Sequence, residues 1–417
     1  MNLLVMGMNY APELTGIGPF TTELCEYLAS QGHCVSVATA FPHYPGWEVQ
    51  QPYRGKLFLR EERNGVLVHR GYVYVPGKPR TSQRIVYDSS LSVSAFFSGL
   101  AISHVDAILA ISPPLQLGLL AWVLSKVKSA AFVLQLQDLT VDAAVAVGML
   151  RNPWAVRLAR ILEASLYAKA EAILVICQGF ADNLKNRGVP ESKILVLSNW
   201  VDTEFIHPLE RINSFRRTLQ LDKARFVVLH AGNMGVKQGL DNAIRAARQL
   251  SDLNDILLLL VGEGSDKARL VDMVNREGVS SVRFLPLQPR GMLPQMLSAA
   301  DVLLLNQLTD VVDTVVPSKL LTYMAAGRPV VAAVHPDSEA AKYIRRADCG
   351  LVVPPGEPKL LADAIRQVYS SPELAVRLGR NGRTFAEEHF ARQRILQQFD
   401  DFFRRLELEL STGHSVQ

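Results

Sequence analysis

Short apolar runs alternate with amphipathic stretches along almost the whole chain. Runs at 2–8, 34–40, 66–75, 107–111, 131–136 and 172–177, with a shorter one at 194–197, read as strands. A second series stands at 226–231, 256–261, 282–285, 302–305, 329–334 and 350–353. Val, Ile and Leu dominate these runs without polar alternation, the mark of parallel strands covered on both faces. The stretches between them have helical periodicity, so the expected fold is α/β, with two doubly wound Rossmann-like domains. The polar, proline-containing "NWVDTEFIHPLERINSF" at 199–215 marks the break. We expect an N-terminal domain over 1–200, a C-terminal domain over 201–385, and a last helix and tail over 386–417. The charged, amphipathic pattern of 373–410 is expected to cross back onto the first domain. Ligands of such sheets lie beyond the carboxyl ends of the strands, so two domains facing each other would form an interdomain cleft.

Composition narrows the class. A chain of 417 residues suits two cores, and 48% hydrophobic against 20% charged residues excludes a disordered protein. Cys25, Cys34, Cys177 and Cys349 are scattered and form no CxxC pair, which fits reduced thiols in the cytosol. Met1 leads straight into a strand-like run, so no signal peptide is expected. Apolar windows such as 91–103 and 115–124 are interrupted or too short to span a bilayer.

The net charge of +4 is unevenly spread. Between Gln50 and Arg84 stand eight basic residues (Arg54, Lys56, Arg60, Arg63, Arg70, Lys78, Arg80, Arg84) against Glu61 and Glu62. A second basic stretch, 151–170, has helical periodicity and carries Trp154. An ordinary solvated face is one reading; a docking face for anionic lipid or a lipid-linked phosphate is the other. No recognition motif supports nucleic acid.

The loops after strands hold the candidate chemistry. "MNYAPELTGIGPF" places Gly16, Ile17 and Gly18 before a helix, where backbone can approach a phosphate closely or simply turn. It is not GxGxxG, so the dinucleotide fingerprint is absent. "HAGNMGVKQGL" surrounds Lys237 with glycines; that lysine can put a point charge on a phosphate or stay solvated. "LVGEGSD" makes another glycine-flanked turn with Glu263 at its tip. Asp138 follows a strand and can bind a sugar hydroxyl, position an acceptor, take its proton, or cap a helix. In "VVDTVVPSKLLTYMAAGRPVVAAV", Pro317 starts a helix whose first N–H groups and partial positive charge suit an anion. HExxH, an EF-hand loop and a DxD triplet are all absent, so no metal site is expected. His33, His43, His69 and His104 are isolated and read as structural or surface residues.

Taken in order, "NYAPELTGIGPFTTELCEYLASQGHCVSVATAF", "LSNWVDTEFIHP", "VLHAGNMGVKQGL", "LLLLVGEG", "VRFLPLQPRGMLPQMLSAADVLLL" and "VPSKLLTYMAAGRPVVAAV" resemble the GT-B retaining glycosyltransferases of family 4. The resemblance covers nearly the whole chain and is closest to bacterial exopolysaccharide and O-antigen transferases of the colanic acid fucosyltransferase type. It implies a metal-independent enzyme without a cofactor. The donor is a nucleotide-diphosphate sugar, GDP-fucose first, and the acceptor a lipid-linked oligosaccharide. The place implied is the cytoplasmic face of the plasma membrane, in peripheral contact with anionic lipid. The resemblance also assigns roles: Asp138 and Lys237 are catalytic, while Gly16, Ile17, Gly18, Asn233, Lys237, Glu263, Leu285, Thr314, Pro317, Ser318, Lys319 and Thr322 bind the donor. Backbone N–H groups of Ser318 and Lys319 receive the diphosphate.

The chain departs from that pattern in places. Two glutamates usual in the family are Thr314 and Thr322 here, an arginine is Asn233, and a common histidine position is Gln137. Asp310 or Asp313 is a candidate substitute for the first glutamate. Two rivals follow: a nucleotide-sugar epimerase of the same architecture, and a catalytically silent binding subunit. A dinucleotide dehydrogenase stands behind both, for want of its fingerprint.

Overall fold

The computed structural model describes all residues except 14–15, 45, 78–80, 147–149, 222–224, 310–316 and 413–417. The chain forms two compact units: Met1–Ser198 together with Leu396–Gln417, and Asn199–Ile395. Each is a Rossmann-like α/β sheet with helices between successive parallel strands.

The first unit holds β1 (Asn2–Met6), β2 (Cys34–Ala40), β3 (Phe58–Arg63), β4 (Val66–Gly71), β5 (Ala107–Ser112), β6 (Ala131–Leu136), β7 (Ala172–Val175) and β8 (Ile194–Val196). They lie in the order β3-β4-β2-β1-β5-β6-β7-β8. Every neighbouring pair is parallel except β3 with β4. β5, β6 and β7 are buried throughout, which is why they are written as unbroken apolar runs. The chain's last helix, Arg392–Thr412, buries Phe399 and Phe403. It also holds the first unit by polar contacts: Asp400 meets His33 at 2.8 Å, and Gln397 accepts from the Tyr27 hydroxyl at 2.8 Å.

β3 has no counterpart among the expected strands. Its sequence, FLREER, is mostly exposed at the sheet edge and has no apolar run to announce it. The available signal was Asn64-Gly65, whose φ values of 47° and 79° make the two-residue turn that pairs β3 with β4. This hairpin also changes the reading of the basic stretch. Arg70 is 1% exposed and donates to Glu61 at 2.6 Å, to Ala40 O at 3.3 Å and to Ala11 O. Arg63 pairs with Glu26 and Arg54 with Glu48. Much of that charge therefore holds the edge of the sheet together.

The second unit holds β9 (Phe226–Ala231), β10 (Ile256–Val261), β11 (Val282–Leu285), β12 (Val302–Asn306), β13 (Val330–Ala333) and β14 (Gly350–Val353). All are parallel, in the order β11-β10-β9-β12-β13-β14. Successive side chains enter opposite cores: Val227, Leu229, Leu259 and Leu303 pack on one face, Val228, Leu258, Leu260 and Leu304 on the other. From β9 the chain steps outward to β10 and β11, then returns to place β12 on β9's other side. The direction of winding reverses between β9 and β12. A crevice opens beyond the carboxyl ends of the strands at such a reversal.

Candidate functional site

Two loops leave the sheet at this switch point, one after β9 and one after β12. The β9 loop runs through Gly232 and Asn233 into a short 3-10 turn, Val236–Gln238, and on to the helix Leu240–Gln249. Lys237 is exposed on that turn. The loop is held from β12: Leu308 N donates to Lys237 O at 2.9 Å. The Asn306 amide donates to Gln238 O at 2.7 Å and to Gly239 O at 2.8 Å, and accepts from Asn242 at 3.1 Å. Asn306 is 1% exposed at the very end of β12. It is a positioning residue that no local pattern in the sequence announced.

Glycines bring the β9 and β10 loops together. A Cβ on Gly262, whose φ is 144°, would lie 1.9 Å from Gly232 O. A Cβ on Gly264 would lie 2.3 Å from the Met234 carbonyl carbon. Met234 N donates to Glu263 O at 2.8 Å, and Gly262 N to Leu285 O at 3.1 Å. Leu285 thus acts through its backbone at the end of β11. The Glu263 carboxylate is turned onto the helix that follows, 2.7 Å from Lys267, that helix's first residue.

The β12 loop leads to the helix Ser318–Ala325. Pro317 is its N-cap in extended conformation, and Ser318 is the first helical residue, so the helix begins one position later than expected. No side chain caps it, and the first N–H groups of a helix have no intrahelical acceptor. Leu320, Leu321, Tyr323 and Met324 are buried, while Ser318 is exposed. That packing aims the helix's positive end at the strand ends. Thr322 donates its hydroxyl back to Ser318 O at 3.1 Å. The Lys319 side chain folds away from the helix to His230, Nζ to Nε2 at 3.1 Å. Burial pulls the Lys319 pKa down to about 7 and, with the neighbouring lysine, holds His230 well below the usual imidazole value. Thr314, Asp310 and Asp313 lie outside the described residues.

The first sheet has its own reversal, between β1 and β5. The loop after β1 holds Gly16, at a φ of 66°, then Ile17 as N-cap and Gly18 as first residue of the helix Gly18–Ser30. A Cβ on Gly18 would lie 3.2 Å from Glu13 O. Glu13 is 3% exposed; it accepts from Asn9 at 2.6 Å, from His43 N at 2.8 Å and from Tyr44 N at 2.7 Å. This second polar anchor was also silent in the sequence. Asp138 is half-buried immediately after β6, two residues before the helix Thr140–Ala146. His33 and His43 are buried and bonded within the unit, and His104 is exposed. Among the described residues no cluster of His, Cys, Asp and Glu has the makings of a metal site.

The loops, glycines and helix start of the second unit gather at one switch point, where free helix N–H groups and an exposed lysine have the chemistry an anion needs. Residues 212–385 match the family described as Glycosyl transferases group 1, and residues 15–200 match the Glycosyl transferase 4-like domain. The colanic acid biosynthesis glycosyl transferase WcaI of Escherichia coli K12 is 33% identical, over 96% of this chain and 98% of its own. Sucrose-phosphate synthase of Thermosynechococcus elongatus shares the fold with a TM-score of 0.77 at 18% identity, covering 98% of this chain and 99% of that one. Anabaena HepE, solved with UDP-glucose, superposes with a TM-score of 0.67 at 17% identity, covering 97% and 100%. With its two matching domains and a relative aligned along almost its whole length, the chain belongs to the group 1 glycosyltransferases of GT-B fold.

Proposed function

We propose that this glycosyltransferase moves a sugar from a nucleotide-diphosphate donor to a lipid-linked oligosaccharide during exopolysaccharide or O-antigen synthesis, with retention at the anomeric carbon. GDP-fucose is the first candidate donor. The observation that carries the reading is the joined pair of loops at the β9–β12 switch point. They put Lys237 and the start of the helix Ser318–Ala325 beyond adjoining strand ends. Glycosyl transfer leaves negative charge on the departing diphosphate, and fixed dipoles with a lysine stabilise it. Lys237 and the N–H groups of Ser318 and Lys319 supply that charge in this reading. Asp138 orients or deprotonates the acceptor hydroxyl. The name of WcaI supports the polysaccharide setting, and the ligand in HepE supports a nucleotide-sugar donor.

A peripheral position at the membrane belongs to the same proposal. Right-handed crossovers from β4 to β5, β5 to β6 and β6 to β7 run in one direction along the first sheet. They therefore put the helices Thr81–Leu100, Leu115–Lys128 and Pro153–Lys169 on one face. Ile85, Val86, Val93, Phe97, Val127, Trp154, Leu158 and Ile161 are exposed there. The three helices carry six lysines and arginines (Arg84, Lys126, Lys128, Arg157, Arg160, Lys169) and only two acids, Asp88 and Glu163. Glu163 is 2% exposed and paired with Arg187. An apolar face studded with cations suits an anionic bilayer, each cation near the surface being worth roughly 1 kcal/mol. Flotation with vesicles containing phosphatidylglycerol is the check. Trp154→Glu with Arg157→Glu should abolish it while leaving transfer to a soluble acceptor intact.

A silent binding subunit is the second reading, favoured by Thr322, whose hydroxyl is spent on its own helix. Purified chain supplied with radiolabelled sugar nucleotide and lipid-linked acceptor separates the two. Transfer is expected, and Lys237→Ala should lower it by at least a hundredfold with an unchanged melting temperature. No transfer from any donor leaves the silent subunit standing.

A further inference from the structure

Lys319 is the strongest anomaly in the molecule outside the roles given so far. Its stem is part-exposed, yet its amine nitrogen is buried and turned inward onto an imidazole. Among the described residues no carboxylate pairs with it. A buried amine without a counter-ion is pushed toward its neutral form, and an arriving anion restores its charge. We propose that the Lys319 side chain is a counter-ion for the donor's diphosphate, parked on His230 and taking up its proton when the anion arrives. The proposal rests on the donor site proposed above and adds a side-chain role to a residue so far credited only with its backbone.

Geometry puts the charge where that ligand would need it. A Cβ on Gly232 would lie 3.3 Å from Lys319 Cε and 3.5 Å from Nζ. The amine nitrogen therefore lies against Gly232, the first residue of the β9 loop. One residue further on, the resemblance expects an arginine and the chain has Asn233. Lys319 brings a cation to the same loop from below.

His230 makes the arrangement switchable. Its Nε2 is 3.1 Å from Lys319 Nζ and 3.4 Å from Asn233 O. A neutral imidazole nitrogen accepts or donates, never both at once. While lysine donates to it, Nε2 is bare and cannot hold the Asn233 carbonyl. Once the ammonium turns its protons to a phosphate, the other tautomer can donate to Asn233 O and steady the loop. The remaining titratable groups near this point do not take over the proton. Tyr323, on the same helix, accepts from Ala231 N at 2.9 Å, and burial raises its pKa far above neutrality. Glu263 on the β10 loop is paired with Lys267, and Lys237 is exposed on the 3-10 turn of the β9 loop.

The proton balance is simple. The neutral amine takes one proton from solvent to become the ammonium that faces the diphosphate. Burial sets the free-state pKa at about 7, so above that pH uptake approaches one proton per ligand bound. Titration calorimetry with GDP-fucose and UDP-N-acetylglucosamine at pH 8, in HEPES and in Tris, measures it. A sugar nucleotide's diphosphate has no ionisation of its own near that pH. Wild type should show a buffer-dependent heat corresponding to more than half a proton taken up. Lys319→Arg, charged throughout, should bind with no uptake. Lys319→Met should bind at least tenfold more weakly, again with no uptake. Binding by wild type with the same heat in both buffers overturns the proposal, as does uptake that survives in Lys319→Arg. Absence of binding by every sugar nucleotide instead overturns the donor reading on which it rests.

Discussion

Asn306→Leu tests the claim that one buried amide positions the donor loop. Leucine keeps asparagine's branching at Cγ, and its larger side chain leaves no room for a replacing water. The substitution strips partners from Gln238 O, Gly239 O and the Asn242 amide, which now stand at 2.7, 2.8 and 3.1 Å. A buried polar group left unpaired costs about 1–3 kcal/mol, so three of them at the low end of that range cost about 3–5. The apolar side chain recovers about 1 kcal/mol by burial. A net loss of about 3 kcal/mol in a unit of this size lowers its melting temperature by roughly 6–12 °C. Calorimetry or circular dichroism of the purified chain measures the shift. Asn306→Asp should be worse still, because it sets a carboxylate against two carbonyl oxygens. The loosened Lys237 turn should slow transfer as well, even well below the melting temperature. A fall of less than about 2 °C in Asn306→Leu would refute the reasoning, since it would mean that the three contacts hold nothing in place.

Other consequences follow from single residues. Gly262→Ala must push the β10 loop off Gly232, because its Cβ would lie 1.9 Å from that carbonyl oxygen; donor-induced stabilisation should disappear in a thermal-shift assay. Asp88 is half-buried with Oδ1 4.0 Å from Arg84 Nε, and burial outweighs that pairing to push its pKa from 3.8 to about 6. The folded state therefore holds that proton more tightly than the unfolded one, and the wild type loses stability as pH rises from about 4 to 6. Asp88→Asn should gain up to about 3 kcal/mol at pH 7.5 and nothing at pH 4, read from denaturant melts at both pH values.

How far the molecule was legible depended on whether a signal was local. Thirteen of the strands announce themselves as apolar runs, because a parallel strand covered on both faces must be apolar at every position. β3 failed that test for the opposite reason: at the sheet edge it buries little, and only the Asn-Gly turn after it was diagnostic. The glycine loops could be located, yet what each glycine avoids could not. Gly262 faces a carbonyl thirty residues earlier in the chain, and Gly18 faces Glu13. Pro317 marked the helix start to within one residue because proline's fixed φ is a local property.

The sequence by itself determined the α/β class, the two series of strands and, through motif order, the family. Each of these follows from local burial and turn chemistry repeated along the chain. Tertiary structure alone decided which polar side chains hold the loops beyond the strand ends. Asn306 reaches back to Gln238 and Gly239, Glu13 reaches forward to His43 and Tyr44, and Lys319 finds His230 across the sheet. These partners are far apart in sequence and meet only because strand order brings β9 beside β12 in one sheet and β1 beside β2 in the other. The free energy of a buried hydrogen bond or charge depends on that meeting, and no window of the chain contains both sides of it.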